Sequence, residues 1–288
     1  MKILVLGANG LIGNTIFRVL SETTDHVVHG TIRRDSALSS VADTFRKNII
    51  SNVEMLDDYA VADVLNAYRP HVVINCAGLT KHRPNAACPL TALPINSLFP
   101  HKLVKLCALM DTKLIHISTD CVFSGDKGDY SEGDHPDALE LYGISKAIGE
   151  VDYPNALTIR TSTIGHERDS TAGLLEWFLS QGASCSGYRK AIFSGLPTVT
   201  LARVIRDYVL TNDTMTGVYH LAGSPIDKLS LLKLIAKIYA KDIDVIPDHN
   251  FVIDRSLNAK KFSKETGYVA SSWDVLLREM YDDFKRNT

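Results

Sequence analysis

Through the first half of the chain, short β-branched apolar runs alternate with longer stretches whose apolar residues recur at helical spacing. The runs predict strands over 2–6, 26–32, 53–56, 71–75, 113–118 and 156–160. The helical periodicity predicts helices over 11–21, 58–68, 97–110 and 142–152. Strands alternating with helices form βαβ units, so the expected fold class is α/β: a doubly wound parallel sheet with its ligands at the carboxyl ends of the strands. Beyond about residue 161 the pattern is less regular, with helices expected over 171–179, 201–210, 230–239 and 273–284. A main domain over 1–160 and a smaller C-terminal lobe over 161–288 follow, with segments such as 217–221 returning to the main sheet.

The first strand-to-helix turn reads Gly7-Ala8-Asn9-Gly10-Leu11-Ile12-Gly13. Glycines there permit positive φ and let the backbone approach a pyrophosphate, which then meets the free N–H groups of the helix start. Glycines also end strands for purely structural reasons, but this position, at the first βα turn, points to a dinucleotide and a Rossmann-type sheet. Where a fold that prefers NAD carries Asp or Glu at the end of the second strand, this chain has Thr31 followed by Arg33 and Arg34. Guanidinium groups pair with a 2′-phosphate, so NADPH is the expected cofactor; the alternative is a solvated basic loop.

Composition narrows the remaining classes. The 288 residues carry a formal net charge of −2, so no basic field is available for nucleic acid or an anionic membrane surface. No segment approaches the roughly 18 uncharged apolar residues of a membrane span. The five cysteines are scattered without metal or redox spacing, which suggests reduced thiols in a cytoplasmic protein, and no His/Cys/carboxylate cluster predicts a metal.

Tyr142 and Lys146 lie four apart in "LYGISKAIGE", on one face of a predicted helix. An ammonium near the tyrosine should draw its pKa down from about 10 towards neutrality and make it a usable acid–base group. Taken alone, the pair could be a surface contact. Upstream, "IHISTDCVFSG" places Ser118 and Thr119 at a strand end, where a hydroxyl can hold a carbonyl or alcohol.

With the glycine turn, the strand-end hydroxyl and the Tyr/Lys pair in this order, the sequence resembles the extended short-chain dehydrogenase/reductases. "NCAG" over 75–78 and Asn96 fit that family's fourth strand and following helix. Within the family it most resembles the dTDP-4-dehydrorhamnose reductases, through "STDCVFSG", "YGISKAIGE", "GVYHLAG" and "RSLNAKKFSKETGY". The resemblance implies a triad of Thr119, Tyr142 and Lys146, with Tyr142 as proton donor and Lys146 also on the nicotinamide ribose. It places Ala77 and Gly78 along the cofactor and Asp57 near the adenine. His82, Arg83 and Arg255 become candidates for the substrate's diphosphate, with a solvated loop as the alternative for the first two.

Cys121 stands where these reductases commonly have an aromatic residue, and Lys81-His82-Arg83 replaces a more acidic segment. The expected activity is NADPH-dependent reduction of the 4-keto group of a nucleotide-activated 6-deoxyhexose. A homodimer is common in the superfamily. The alternatives are an epimerase or dehydratase on the same scaffold, and a non-catalytic NADP-binding regulatory subunit.

Overall fold

The computed structural model describes residues 1–22, 25–81, 85–167 and 172–287. Its central sheet is built from β1 (Lys2–Leu6), β2 (Val27–Thr31), β3 (Ile49–Ile50), β4 (Val72–Asn75), β5 (Lys113–Thr119), β6 (Ala156–Thr161) and β10 (Gly217–His220). All pairings are parallel and the order is β10-β6-β5-β4-β1-β2-β3, the doubly wound arrangement expected from the sequence.

The continuous apolar run of β1 follows from burial on both faces. Ile3 and Val5 belong to one core layer and Leu4 and Leu6 to the other, as the two-residue period of a strand requires. The first layer is closed by α1 (Leu11–Ser21), which contributes Ile16, Phe17 and Leu20. The second is closed by α2 (Asp58–Tyr68), through Val61 and Leu65, and by the helical stretch that α3 (Pro89–Leu93) begins and α4 (Phe99–Ala108) ends. Next come α5 (Leu141–Ile148), β7 (Thr163–Ile164), α6 (Leu174–Ser180), β8 (Ser184–Phe193), β9 (Leu196–Pro197) and α7 (Thr198–Val204). After β10, the chain forms β11 (Ile226–Asp227), α8 (Lys228–Ile238), β12 (Asp244–Asp254), α9 (Lys260–Thr266) and α10 (Trp273–Asn287). A small sheet of order β11-β8-β12 and the pair β7-β9 complete the fold.

Two expectations are corrected. The strand expected over 53–56 lies earlier, as β3 beside Gly30 and Thr31. Asn52, at φ 61°, turns the chain out of the strand. Val53 and Met55 are nevertheless buried, and this alternation imitated a strand in the sequence. The helix expected over 97–110 begins at Pro89 and passes through a π turn, Pro94–Leu98, before α4. Pro94 has no N–H to continue the i→i−4 ladder, and the wider turn absorbs that break.

Candidate active site

The site lies along the carboxyl ends of the parallel strands. At its nucleotide end, Gly7 leaves β1 at φ 79°, and a Cβ on it would come within 3.1 Å of the Ala77 backbone nitrogen. A Cβ on Gly13 would collide with the Gly7 carbonyl, so Gly13 is required by the packing of α1 against the turn, and Gly7 by its positive φ and the close approach of the chain after β4. Gly10 differs: a Cβ there would meet only the Gly7 oxygen, at 3.5 Å. It occupies the N-cap of α1 and contributes no side-chain bond, leaving the first-turn N–H groups of Leu11, Ile12 and Gly13 without a capping side chain beside the exposed Asn9. These are the conditions under which a backbone accepts a pyrophosphate.

Thr31, at the end of β2, is fully buried, and its hydroxyl has no partner among the described residues. Arg33 and Arg34 follow on the exposed surface, with no ion pair among the described residues. An orphaned hydroxyl and two available guanidinium groups beside the glycine turn fit a dinucleotide that carries an additional phosphate on its ribose. Ala77 and Gly78 continue β4 past the glycine turn; the Ala77 N–H donates to Asn75 Oδ1 at 3.1 Å. Asp57 caps α2, accepting from the N–H groups of Tyr59 and Ala60 at 3.0 and 3.2 Å.

At the catalytic end, α5 carries Tyr142 and Lys146 to the last residue of β5. The Thr119 hydroxyl donates to Asp120 Oδ1 at 3.1 Å and accepts from the Cys121 N–H at 3.1 Å, and it is near enough to the Tyr142 phenol to act on its protonation. Lys146 is 6% exposed and donates to the Ile117 carbonyl at 2.8 Å, with His116 Nε2 at 3.3 Å. Burial lowers its ammonium from the usual 10.5 to about 8, against the opposing pull of Glu150 and Cys76.

The Tyr142 phenol is shifted the other way. Burial raises its pKa, and Cys121 and Asp120 add to the effect while Thr119 opposes it. The lowering expected from the i,i+4 lysine is therefore absent, because Lys146 is directed at β5 while Tyr142 meets Thr119.

Ser118 stands apart from Thr119. It is buried and donates to Glu150 at 2.7 Å, and Glu150 in turn holds Arg160 through bonds of 2.8 and 2.7 Å. Arg255 reaches the site: Nε donates to the Phe123 carbonyl at 2.8 Å and Nη1 lies 3.5 Å from Cys121 Sγ. His82 and Arg83 lie outside the described residues.

Three further features were not singled out as site residues in the sequence. Burial raises the Asp120 carboxyl above its ordinary range, opposed by hydrogen bonds from Thr119, Cys121 and Ser162 and by the charge of Arg255. Lys228, at the start of α8, is drawn down by burial and by Lys81, and it shares its surroundings with Asp120, Cys121 and Arg255. Lys81 and Arg255, from two other segments that no local pattern connects to α8, are near enough to act on Lys228 electrostatically. The third feature is Asn96, on the π turn, which accepts from the Leu79 N–H at 2.8 Å and donates to the Leu79 carbonyl at 3.0 Å and to the Ser145 hydroxyl at 3.1 Å. It ties the loop after β4 to α5; the sequence offered only its family position.

The model of the RmlD substrate binding domain family matches residues 1–286. The probable low-salt glycan biosynthesis reductase Agl14 of Haloferax volcanii is 32% identical over 188 residues, covering 62% of this chain and 60% of Agl14. Methionine adenosyltransferase 2 subunit beta of Rattus norvegicus is 31% identical over 151 residues, covering 52% of this chain and 41% of the subunit. The aligned segments therefore span less than two thirds of these relatives' lengths. Among solved structures, a dTDP-4-dehydrorhamnose reductase of Clostridium acetobutylicum superposes with a TM-score of 0.81 at 21% identity, covering 99% of this chain and 100% of that one. The Bacillus anthracis enzyme of the same name, in complex with NADP, gives 0.80 at 20% identity and covers 98% of each chain.

Proposed function

This chain belongs to the RmlD substrate binding domain family, and we propose that it is an NADPH-dependent reductase acting on the 4-keto group of a nucleotide-activated 6-deoxyhexose. The observation that supports this reading is that α5 brings Tyr142 towards Thr119 and Lys146 to the Ile117 carbonyl, both near the carboxyl end of β5, at the same edge of the sheet as the glycine turn. The family, the NADP complex of the Bacillus anthracis enzyme and the reductase name of Agl14 support it. The five cysteines are all unpaired, which accords with a reducing, cytoplasmic setting. No helix among the described residues is long and apolar enough to cross a membrane.

The turn over 7–13, Thr31, Arg33 and Arg34 would hold the dinucleotide, with Lys146 on its ribose. Bound NADPH supplies the hydride. The raised pKa of Tyr142 keeps the phenol protonated at neutral pH, so it gives a proton to the carbonyl oxygen as the alcohol forms. Thr119 turns its hydroxyl to the same oxygen and fixes its position. Lys81, Lys228 and Arg255 attract the substrate's diphosphate, and this remote binding orients the carbonyl. A dehydratase would use an acidic pair after Thr119; Asp120 is followed by Cys121 instead.

A panel of dTDP-, UDP- and GDP-linked 4-keto-6-deoxyhexoses, followed at the nicotinamide absorbance, tests the reading. One of them should oxidise NADPH, the free sugars should react poorly, and Tyr142→Phe should lower turnover by about 10²- to 10⁴-fold while keeping NADPH binding. The likeness to methionine adenosyltransferase 2 subunit beta gives a second reading, a regulatory NADP-binding subunit. Silence across the panel, with tight NADPH binding and a stable protein partner, would decide for it.

A further inference from the structure

His116 sits beneath the site, fully buried on β5 and directly paired across the sheet with Asn75 of β4. The orientation of the Asn75 amide is fixed because its Oδ1 accepts from the Ala77 N–H at 3.1 Å. Its Nδ2 is therefore the donor to His116 Nδ1, 3.1 Å away. A ring nitrogen that accepts a hydrogen bond carries no proton, so the neutral imidazole has its proton on Nε2. That N–H faces Lys146 Nζ at 3.3 Å.

An ammonium has three donors and no acceptor, so it would meet the Nε2 proton donor to donor. A neutral amine satisfies both contacts: it donates to the Ile117 carbonyl, at 2.8 Å, and its lone pair accepts from His116. We propose that His116 is a positioning residue whose tautomer, fixed by Asn75, selects the amine form of Lys146 and so sets the proton affinity of the lysine beside Tyr142. The proposal rests on the reading of Lys146 as part of the catalytic group.

The surroundings are consistent with this role. From α5 itself Glu150 favours the ammonium, but its carboxylate is held bidentately by Arg160 of β6 and accepts from Ser118 of β5. From the end of β4, Cys76 also favours the ammonium; its thiol is pushed up to about 12 by burial and so stays neutral over the working range. Tyr142, also on α5, has its phenol raised. Burial, Lys146 and His101 of α4 all keep the His116 ring neutral.

Two measurements on the cofactor-free protein test this without reference to the sugar. Long-range nitrogen-15 spectra should show His116 neutral with its proton on Nε2 from pH 5 to 9. A proton on Nδ1, or an imidazolium in that range, overturns the proposal. The carbon-13 ε resonance of Lys146, assigned by its loss in Lys146→Arg, should titrate near 8. In Asn75→Asp a carboxylate would accept from Nδ1–H and move the ring's free lone pair to Nε2, where it accepts from the ammonium. The Lys146 proton affinity should then rise at least tenfold.

The same change in a His116→Phe background should have a much smaller effect, because only the direct charge of Asp remains. Equal shifts in the two backgrounds, or none in either, overturn the proposal. If Asn75→Asp does not fold, the wild-type tautomer still decides. Loss of activity on every sugar with these spectra as expected would reject the substrate reading and leave the His116 coupling standing.

Discussion

The two ends of the candidate site solve different problems with different materials. At the nucleotide end the contacts are backbone and exposed charge: Gly7 and Gly13 fit where a Cβ would strike main chain, α1 opens without a capping side chain, and Arg33 and Arg34 stand in solvent. At the catalytic end they are buried side chains. Thr119 is 8%, Lys146 6% and His116 0% exposed, and their neighbours displace the protonation of each ionisable group. Under the proposed function, the first end would recognise its ligand through shape and long-range charge, at little cost to the fold. The second, under the same proposal, would keep polar groups ready for reaction in largely buried places, and burial of that kind costs stability.

Removing the lysine gives the largest expected effect on this contrast. Folding lowers the Lys146 pKa from 10.5 to about 8. At 1.36 kcal/mol per pKa unit this is a penalty of about 3 kcal/mol, to be set against about 1 kcal/mol for its hydrogen bonds. The unfolded chain binds more protons than the folded one between pH 8 and 10.5, so the penalty is complete below about pH 8 and fades as pH rises towards 10.5. In urea melts without cofactor, Lys146→Met should therefore be more stable than wild type by about 2 kcal/mol at pH 7, and the gain should diminish by pH 10. A destabilised variant at pH 7, or a gain independent of pH, would remove the argument that this end stores a desolvation cost.

The same contrast explains what the sequence could and could not reveal. Helices over 11–21 and 58–68 were legible to the residue, because a strong 3.6-residue period begins immediately after Gly10 in one case and the capping Asp57 in the other. The glycine turn was legible because its function is local backbone geometry. β8 and β12 were not, because their faces are so exposed that no alternation marks them. The spacing of Tyr142 and Lys146 correctly placed both on α5, yet it suggested a lowered phenol. The opposite direction depends on burial and on Asp120 and Cys121, which reach the tyrosine only through the fold. His116 is a fully buried core histidine; its partnership with Asn75 depends on the register of β4 against β5, which one strand's sequence does not contain.

The exposed end gives an effect of comparable size, on binding instead of folding. Replacing Arg33 and Arg34 together by Ala should weaken NADPH by roughly tenfold to a hundredfold and NADH far less, since a charge-assisted contact is worth about 1.5 to 3 kcal/mol and only NADPH carries the 2′-phosphate. The melting temperature of the protein without cofactor should barely move, in contrast to Lys146→Met, because both arginines are exposed. Calorimetry with both cofactors checks it. Equal losses for the two would make the pair a basic surface loop and leave the nucleotide end without a basis for choosing NADPH.

Asp57 lies at the boundary of the comparison and carries the smallest effect. The resemblance places it near the adenine, while the structure commits its Oδ1 to the N–H groups of Tyr59 and Ala60 at the start of α2. Loss of such a cap costs about 1 kcal/mol, and Asn at the same position preserves the bonding. Asp57→Ala should therefore lower stability by about 1 kcal/mol in urea melts, and Asp57→Asn should restore most of it. If capping is the whole role, NADPH affinity should stay within a factor of about two in both variants. A several-fold loss of affinity in Asp57→Asn, with stability retained, would instead show the carboxylate's second oxygen working for the ligand, and the nucleotide end would then contain a side-chain contact as specific as those of the catalytic end.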